Sequence, residues 1–169
     1  MAWNLGLAGN MIDHAAAAQD ALRMLGASGM VGGKPVVMVG DVGDRDATMA
    51  ALSNAIGATA INVNVALAPL YIEGAETRFD PAAALAALTP DMSLLLLDRI
   101  QILMLPQLKL NAIDVLTRVA RRRPVCVSWP GRVENGRLRY ADHNHPECLD
   151  EDASRALVLD LSINKGMER

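Results

Sequence analysis

Two groups of residues have the types and spacing to bind a phosphorylated ligand. In the first, spanning 34–48, the apolar run 35–39 leads into Gly40 and then into a segment with helical character. Backbone N–H groups at such a glycine turn, with the positive end of the following helix, bind phosphate in a P-loop. The second group centres on Asp98, which follows the apolar run 92–97 as the magnesium-binding carboxylate of a Walker B strand does.

The closing positions of the loop depart from the P-loop pattern, Gly-x₄-Gly-Lys-Ser/Thr. They read Arg45, Asp46 and Ala47, so a carboxylate replaces the lysine and a methyl group replaces the magnesium-binding hydroxyl. Thr48 comes one position too late to substitute for it. These changes make the binding of ATP and magnesium doubtful. We expect Asp98 to bind a metal ion only when a nucleotide is bound. An ordinary strand, turn and helix remains the alternative for the loop alone. The candidate degenerate nucleotide site comprises Gly40, Asp41, Val42, Gly43, Asp44, Arg45, Asp46, Ala47, Thr48 and Asp98.

Composition indicates a globular protein. A length of 169 residues predicts a single domain, 1–169, and 51% hydrophobic residues can fill its core. The net charge of -3 argues against a general affinity for polyanions. No apolar run approaches the roughly 20 residues of a membrane span, and the first residues lack a signal-peptide pattern, so we expect a cytoplasmic protein without a membrane partner.

Strand and helix patterns alternate along the chain. We predict strands at 35–39, 59–65, 92–97, 125–129 and 156–163, and helices at 10–25, 46–56, 80–90 and 111–123. A loop is expected at 71–79, and Asn135-Gly136 predicts a β-hairpin near 132–140. Such alternation predicts an α/β fold with a doubly wound, mainly parallel five-stranded sheet flanked by helices. The core would span 34–163, with an N-terminal helix within 1–30 and a flexible tail at 164–169.

Ligands of such sheets bind at the carboxyl ends of the strands. The polar or glycine residues expected there are Gly40, Asn62, Asn64, Asp98, Ser128 and Trp129. Asn and Ser are also common turn residues, so any one of them has an ordinary structural explanation.

Charge is distributed unevenly in the last third of the chain. Between 118 and 139, seven arginines oppose only Glu134, a local charge of +6, and five acids between 142 and 152 follow. These runs are consistent with a solvated surface, a head-to-tail subunit contact or a nucleic-acid contact. The candidate contact residues are Arg121, Arg122, Arg123, Arg132, Arg137 and Arg139. His143, His145 and Cys148 match no closed four-ligand zinc pattern.

Several local sequences together resemble a known family. They are Ile61-Asn-Val-Asn-Val65, Leu94-Leu-Leu-Leu-Asp-Arg-Ile100, Leu108-Lys-Leu-Asn111, Arg121-Arg-Arg-Pro-Val125, Ser128-Trp-Pro-Gly131, Gly136-Arg-Leu-Arg-Tyr140 and His145-Pro-Glu147. This series resembles the BrxF family, the small P-loop proteins of type 3 BREX phage-defence systems. The resemblance implies an AAA-like nucleotide-binding component that acts with larger defence proteins, including a methyltransferase, against phage DNA.

Our hypothesis is an assembly or regulatory subunit of such a system that has lost nucleotide chemistry and is not an enzyme. The first alternative is an ATP-binding or ATPase switch in which Arg45 replaces the missing lysine. The second is a DNA-contacting module that uses the arginine-rich segment. The expected partners are other BREX proteins, with a homo-oligomer and DNA as further candidates.

Overall fold

A five-stranded parallel sheet forms the centre of the protein. The structure, a computed structural model, describes residues 11–28, 32–73 and 79–163. The sheet contains β1 (Val36–Val39), β2 (Ile61–Asn62), β3 (Leu95–Asp98), β4 (Val125–Ser128) and β8 (Leu157–Asp160). Their order across the sheet is β2-β3-β4-β1-β8, and every pairing is parallel. The C-terminal ends of all five strands therefore lie at the same edge of the sheet, called here the carboxyl edge.

Helices cover both faces of this sheet. They are α1 (His14–Ser28), α2 (Val42–Ile56), α3 (Val63–Glu73), α4 (Pro81–Leu88) and α5 (Ala112–Ala120). Alternate side chains of the buried strands point to opposite faces. Val36 and Met38 join a core cluster with α1 and α2, whereas Val37 and Val39 join a second cluster with α3, α4 and α5. The predicted α/β sheet with helices on both sides is confirmed.

The segment after β4 forms a separate antiparallel sheet. It contains β5 (Arg132–Glu134), β6 (Arg137–Tyr140) and β7 (Leu149–Asp152), in that order. The predicted hairpin is present, and its turn residues Asn135 and Gly136 have φ angles of 51° and 71°, as a two-residue type I′ turn requires. Strand β7 was not predicted, because its sequence, Leu-Asp-Glu-Asp, lacks the apolar alternation of a strand.

Two predictions for 59–79 are wrong. The strand expected at 59–65 is only Ile61–Asn62, and α3 occupies Val63–Glu73. The first three residues of the loop expected at 71–79 are therefore helical, and 74–78 lie outside the described residues. The Asn62 side chain explains the early end of the strand, because its Oδ1 accepts a hydrogen bond from the Val65 N–H at 3.1 Å. A side chain that pairs with the backbone three residues ahead begins a helix.

Helix limits also differ from the sequence-based ones. α2 begins at Val42, four residues earlier than expected, and α1 continues through Gly26 to Ser28. Asn10, the predicted cap of the first helix, and the predicted tail 164–169 lie outside the described residues. Short 3₁₀ segments within the described residues lie at Gln101–Met104, Pro106–Leu108 and Ala153–Arg155. No helix in the described ranges is long and apolar enough to cross a membrane.

Trp129 and Gly131 connect the two sheets. The Trp129 ring is fully buried, and its Nε1–H donates to the Arg139 carbonyl of β6 at 3.1 Å. A Cβ atom on Gly131 would lie 1.7 Å from that same carbonyl oxygen. The small sheet can therefore take this position only if residue 131 has no side chain.

We predict that Gly131→Ala lowers the free energy of unfolding by 3 kcal/mol or more, as an order of magnitude for a severe backbone clash. Urea unfolding followed by circular dichroism measures it. Gly43→Ala in α2 is the matched control, because its Cβ would meet nothing within 4 Å and alanine in a helix is better than glycine by about 0.5–1 kcal/mol. Equal stability of the two variants would contradict the close contact at Gly131.

Candidate functional site

The candidate site lies at the carboxyl edge of the parallel sheet. Gly40 follows β1, whereas Ser128 and Asp98 are the last residues of β4 and β3. These three strands are consecutive neighbours in the sheet. The sequence-predicted loop and Asp98 are therefore separated by one strand, and Ser128 lies on that strand. The structure brings the predicted residues to one region of the surface.

Gly40 makes a sharp turn out of β1. Its φ is 144°, and a Cβ there would lie 2.9 Å from the Leu161 Cβ. Only Asp41 then separates the turn from α2, and the Arg45 N–H donates to the Asp41 carbonyl at 2.9 Å as the first bond of the helix. Val42 to Thr48 thus form about two turns of helix. An open loop whose N–H groups converge on a phosphate is not formed by these residues.

The Arg45 side chain bridges the carboxyl ends of the neighbouring strands β1 and β4. It is only 7% exposed, although it belongs to the first turns of a helix that begins at the surface. Its Nε donates to the Gly40 carbonyl at 3.0 Å, and a terminal nitrogen donates to the Ser128 Oγ at 2.8 Å. Burial lowers the pKa of Arg45, and the carboxylates of Asp46 and Asp98 oppose that effect. Because arginine keeps its proton in proteins, the group is a buried cation held by two neutral oxygens.

Asp46 and Arg99 form a second link across the edge. The two guanidinium nitrogens of Arg99 donate to the two carboxylate oxygens of Asp46 at 3.2 and 3.1 Å, a bidentate pair. The Arg99 N–H also donates to the Asp98 Oδ1 at 2.8 Å. The hydrogen bonds that Arg99 donates to Asp46 raise the pKa of Arg99, and the negative charge of Asp98 adds to the effect. The residue that replaces the lysine is therefore paired with the residue that follows Asp98.

Two further site residues have structural surroundings. Asp44 lies 3.2 Å from the His14 Nε2, a contact that joins α2 to α1. Thr48 is fully buried, and its hydroxyl has no hydrogen-bond partner among the described residues. Val42 and Gly43 are exposed in the first turn of α2. Beside the turn, an open cleft of about 240 Å³ is lined by Gly40, Asp41, Arg132, Asp160 and other residues of β1, β5 and β8.

These residues do not fit magnesium-ATP. Four carboxylates, at 41, 44, 46 and 98, face two guanidinium groups, at 45 and 99, which gives a local charge of -2. A triphosphate would meet net repulsion, and the positive end of α2 already carries Asp41 and Asp44. In the described part of the chain, no group of three or more His, Cys, Asp or Glu residues could hold a metal ion.

The predicted arginine strip divides into two groups. Arg121, Arg122 and Arg123 follow α5 and precede β4, so they lie at the edge of the sheet opposite to Gly40. Arg132, Arg137 and Arg139 belong to the small sheet, which follows the carboxyl end of β4. The run is continuous in sequence but does not form one continuous surface.

The arginines of the small sheet are paired with acids of the same sheet. Arg137 donates to the Asp150 carboxylate at 2.7 Å, and Arg139 lies 3.5 Å from the Glu134 carboxylate. Arg132 pairs with Glu134 at 3.3 Å and lies 3.8 Å from Asp142. The register places Arg137 opposite Asp152 and Arg139 opposite Asp150, an arrangement that stabilises antiparallel strands. Three of the five acids noted in the sequence, Asp150, Glu151 and Asp152, therefore belong to β7, the strand that pairs with the arginine-bearing strand β6.

Sequence reasoning missed the two partners that complete the site. Ser128 was recognised only as a strand end, and Arg99 only as a member of the motif Leu94-Leu-Leu-Leu-Asp-Arg-Ile100. Each belongs to a contact that spans more than 50 residues, Arg45 with Ser128 and Asp46 with Arg99. The sequence does contain a signal for the second contact. An acid stands at 46 in place of the expected lysine, a base stands at 99, and opposite charges at two nearby positions predict an ion pair.

Comparisons of the chain with protein-family models, with curated proteins and with solved structures found no match. The interpretation of the site therefore depends on its geometry and on the sequence motifs.

We predict that Arg45→Met lowers the free energy of unfolding by about 1–3 kcal/mol, because it leaves the Gly40 carbonyl and the Ser128 hydroxyl without their donor. Urea titration of the far-ultraviolet circular dichroism measures the change. Methionine has a similar length, so the experiment separates the hydrogen bonds from the packing. Arg23→Met serves as the control, because that side chain is 75% exposed, and it should change stability by no more than about 0.5 kcal/mol. An Arg45→Met protein as stable as wild type would show that the two bonds contribute nothing.

Acid should weaken the small sheet. The hydrogen bond from Arg137 lowers the pKa of Asp150 from its usual 3.8, so this carboxylate adds stability above about pH 4 and loses it as the pH falls through the lowered value. We predict that the urea midpoint falls less between pH 6 and pH 3 in Asp150→Asn than in wild type. Asp142→Asn is the control, since that carboxylate is 91% exposed and 3.8 Å from Arg132. Equal drops in wild type and Asp150→Asn would contradict this role.

Proposed function

We propose that this chain is a nucleotide-independent, P-loop-like subunit of a BREX-type phage-defence system, and that it serves assembly or regulation in the cytoplasm. The observation that carries the proposal is the position of Arg45. Its guanidinium joins Gly40 to Ser128, so a cation of the chain itself fills the junction next to the glycine turn. A P-loop protein would keep that junction free for the phosphates of its ligand.

The sheet supports the P-loop part of the proposal. The strand with the glycine turn and the strand that ends in Asp98 are separated by β4 alone, so the two predicted ligand-binding segments lie near each other. Asp98 ends its strand at the same edge as Gly40, as a Walker B carboxylate does. The framework is consistent with descent from a nucleotide-binding domain whose loop has become helical.

The changes within the loop favour loss of nucleotide chemistry over a substituted mechanism. If Arg45 replaced the missing lysine, its charged end would be accessible at the surface, but it is buried and bonded to neutral oxygens of β1 and β4. Asp46 is held by Arg99 in a bidentate pair. Freeing both groups for a ligand would break four hydrogen bonds, each of them charge-assisted because its donor is an ionised guanidinium.

The BREX assignment is supported by the series of motifs that resembles the BrxF family. Two of these motifs, Ser128-Trp-Pro-Gly131 and Gly136-Arg-Leu-Arg-Tyr140, are in contact, because Trp129 and Gly131 lie against the Arg139 carbonyl. The two motifs therefore act as one structural unit, the junction between the sheets. A unit of this kind offers partner proteins a defined surface that does not depend on a bound nucleotide.

The test uses Asp98→Asn, a variant that removes the carboxylate charge but keeps an oxygen to accept the Arg99 N–H. We predict that wild-type protein gives no binding heat with magnesium-ATP at concentrations up to the millimolar range. In cells that carry the remaining defence genes, Asp98→Asn should protect against phage as well as wild type does. Removal of the whole chain should abolish protection.

Two outcomes would overturn the proposal. Micromolar ATP binding that Asp98→Asn abolishes, together with loss of protection in that variant, would establish the ATP-dependent switch instead. Protection that is unchanged when the chain is removed would exclude a role in defence. Circular dichroism of Asp98→Asn confirms that the variant is folded before either result is interpreted.

A further inference from the structure

The edge of the parallel sheet opposite to Gly40 carries a second cleft. The residues that precede β4 and β1 meet there, Arg121 to Arg123 on one side and Gly32 with Gly33 on the other. The cleft measures about 280 Å³ and is lined by Ser28, Gly32, Gly33, Ala120, Arg121, Arg122, Arg123 and Pro124. It lies at the opposite end of the strands from the degenerate loop.

Gly33 brings the two sides together. Its φ is 70°, and a Cβ on it would lie 2.9 Å from both the Ala120 carbonyl oxygen and the Arg121 Cα. The chain before β1 therefore packs directly on the end of α5. Since Lys34 is the next residue, its cationic side chain belongs to the same edge as the arginines. We call Lys34, Arg121 and Arg122 the amino-edge cations.

The amino-edge cations have hydrogen-bond donors that are not used by other described residues. Arg123 and the arginines of the small sheet differ from them in this respect. Arg123 is occupied, because it donates to the Thr89 and Met92 carbonyls. Arg121 and Arg122 are exposed and make no ion pair within the described ranges. Lys34 donates to the Ser154 carbonyl at 2.6 Å, and an ammonium group has two further donors. The small-sheet arginines, by contrast, face acids of their own sheet.

We infer that the amino-edge cations bind the phosphate groups of a nucleic-acid backbone. Guanidinium groups match phosphate through paired hydrogen bonds, and most protein contacts to nucleic acid are made to phosphate and sugar. None of the described residues that line the cleft has an aromatic or long apolar side chain, whereas the core of a protein–protein interface is enriched in them. The cleft has room for a phosphate group, and the glycines let a backbone approach closely.

The binding should be local and dependent on salt. The chain has a net charge of -3, so attraction comes from this edge and not from the molecule as a whole. Three phosphate contacts on duplex DNA correspond to a slope of about -2.7 in a plot of log K against log salt concentration. Binding should thus weaken about 40-fold between 50 and 200 mM salt. The inference does not depend on the proposed defence function.

Fluorescence anisotropy with a labelled 20-base-pair duplex tests the inference. We predict that Arg121→Gln with Arg122→Gln weakens binding at least tenfold at 50 mM salt and reduces the slope to about -0.9, the value for one remaining contact. The matched control is Lys109→Gln with Arg132→Gln. It removes the same charge from two exposed residues on the carboxyl-edge side of the protein and should change binding less than twofold.

A third variant keeps the charge. Arg121→Lys with Arg122→Lys should retain the salt slope and most of the affinity. The inference is overturned if wild-type protein does not bind the duplex at 50 mM salt, or if the glutamine pair and the control pair lose affinity equally. It is also overturned if polyglutamate of the same length displaces the duplex at an equal charge concentration, because the edge would then bind acidic protein. A failed test here leaves the nucleotide and phage results of the proposed function unaffected.

Discussion

The buried guanidinium of Arg45 is the constraint around which the carboxyl edge is arranged. A cation removed from water is costly unless oxygens surround it. Gly40 and Ser128 supply those oxygens from two adjacent strands. Because Arg45 lies in the first turns of α2, this pair of bonds also fixes where the helix begins and how it approaches the sheet. The glycine turn, the helix start and the end of β4 are therefore one coupled unit.

The coupling changes what the edge can do. In a phosphate-binding loop, backbone N–H groups and the helix terminus are left to a ligand, and the edge is completed only when the ligand arrives. Here the helix begins at Val42, directly after its cap residue Asp41, and acids occupy its first turns. Asp46 and Arg99 close the remaining distance to Asp98. The contacts of this edge are therefore formed without a ligand.

The sequence predicted the parts of the fold that local chemistry determines. The strands at Val36–Val39, Leu95–Asp98 and Val125–Ser128 are apolar runs, and Asn135-Gly136 is a turn with few alternatives. Strand β7 escaped prediction because its stability comes from arginines on β6, not from its own apolar residues. The start of α2 was misplaced because a glycine turn alone does not reveal whether the next residues curl around a ligand or continue as helix. That choice depends on Arg45 and Ser128, which are 83 residues apart.

Pairing also determines which charges remain available to partners. An arginine count made on the sequence treats residues 118–139 as one basic surface, but the fold places three of the seven in a sheet with acids and another three at the opposite end of the strands. Arg118 adds to the difference, because Asp80 holds it in a bidentate pair at 3.1 and 2.7 Å. A guanidinium already bonded to a carboxylate gains little from a phosphate, since the new contact must replace the old one. The charges that can attract a polyanion are therefore those the fold leaves unpaired, and topology decides where these lie.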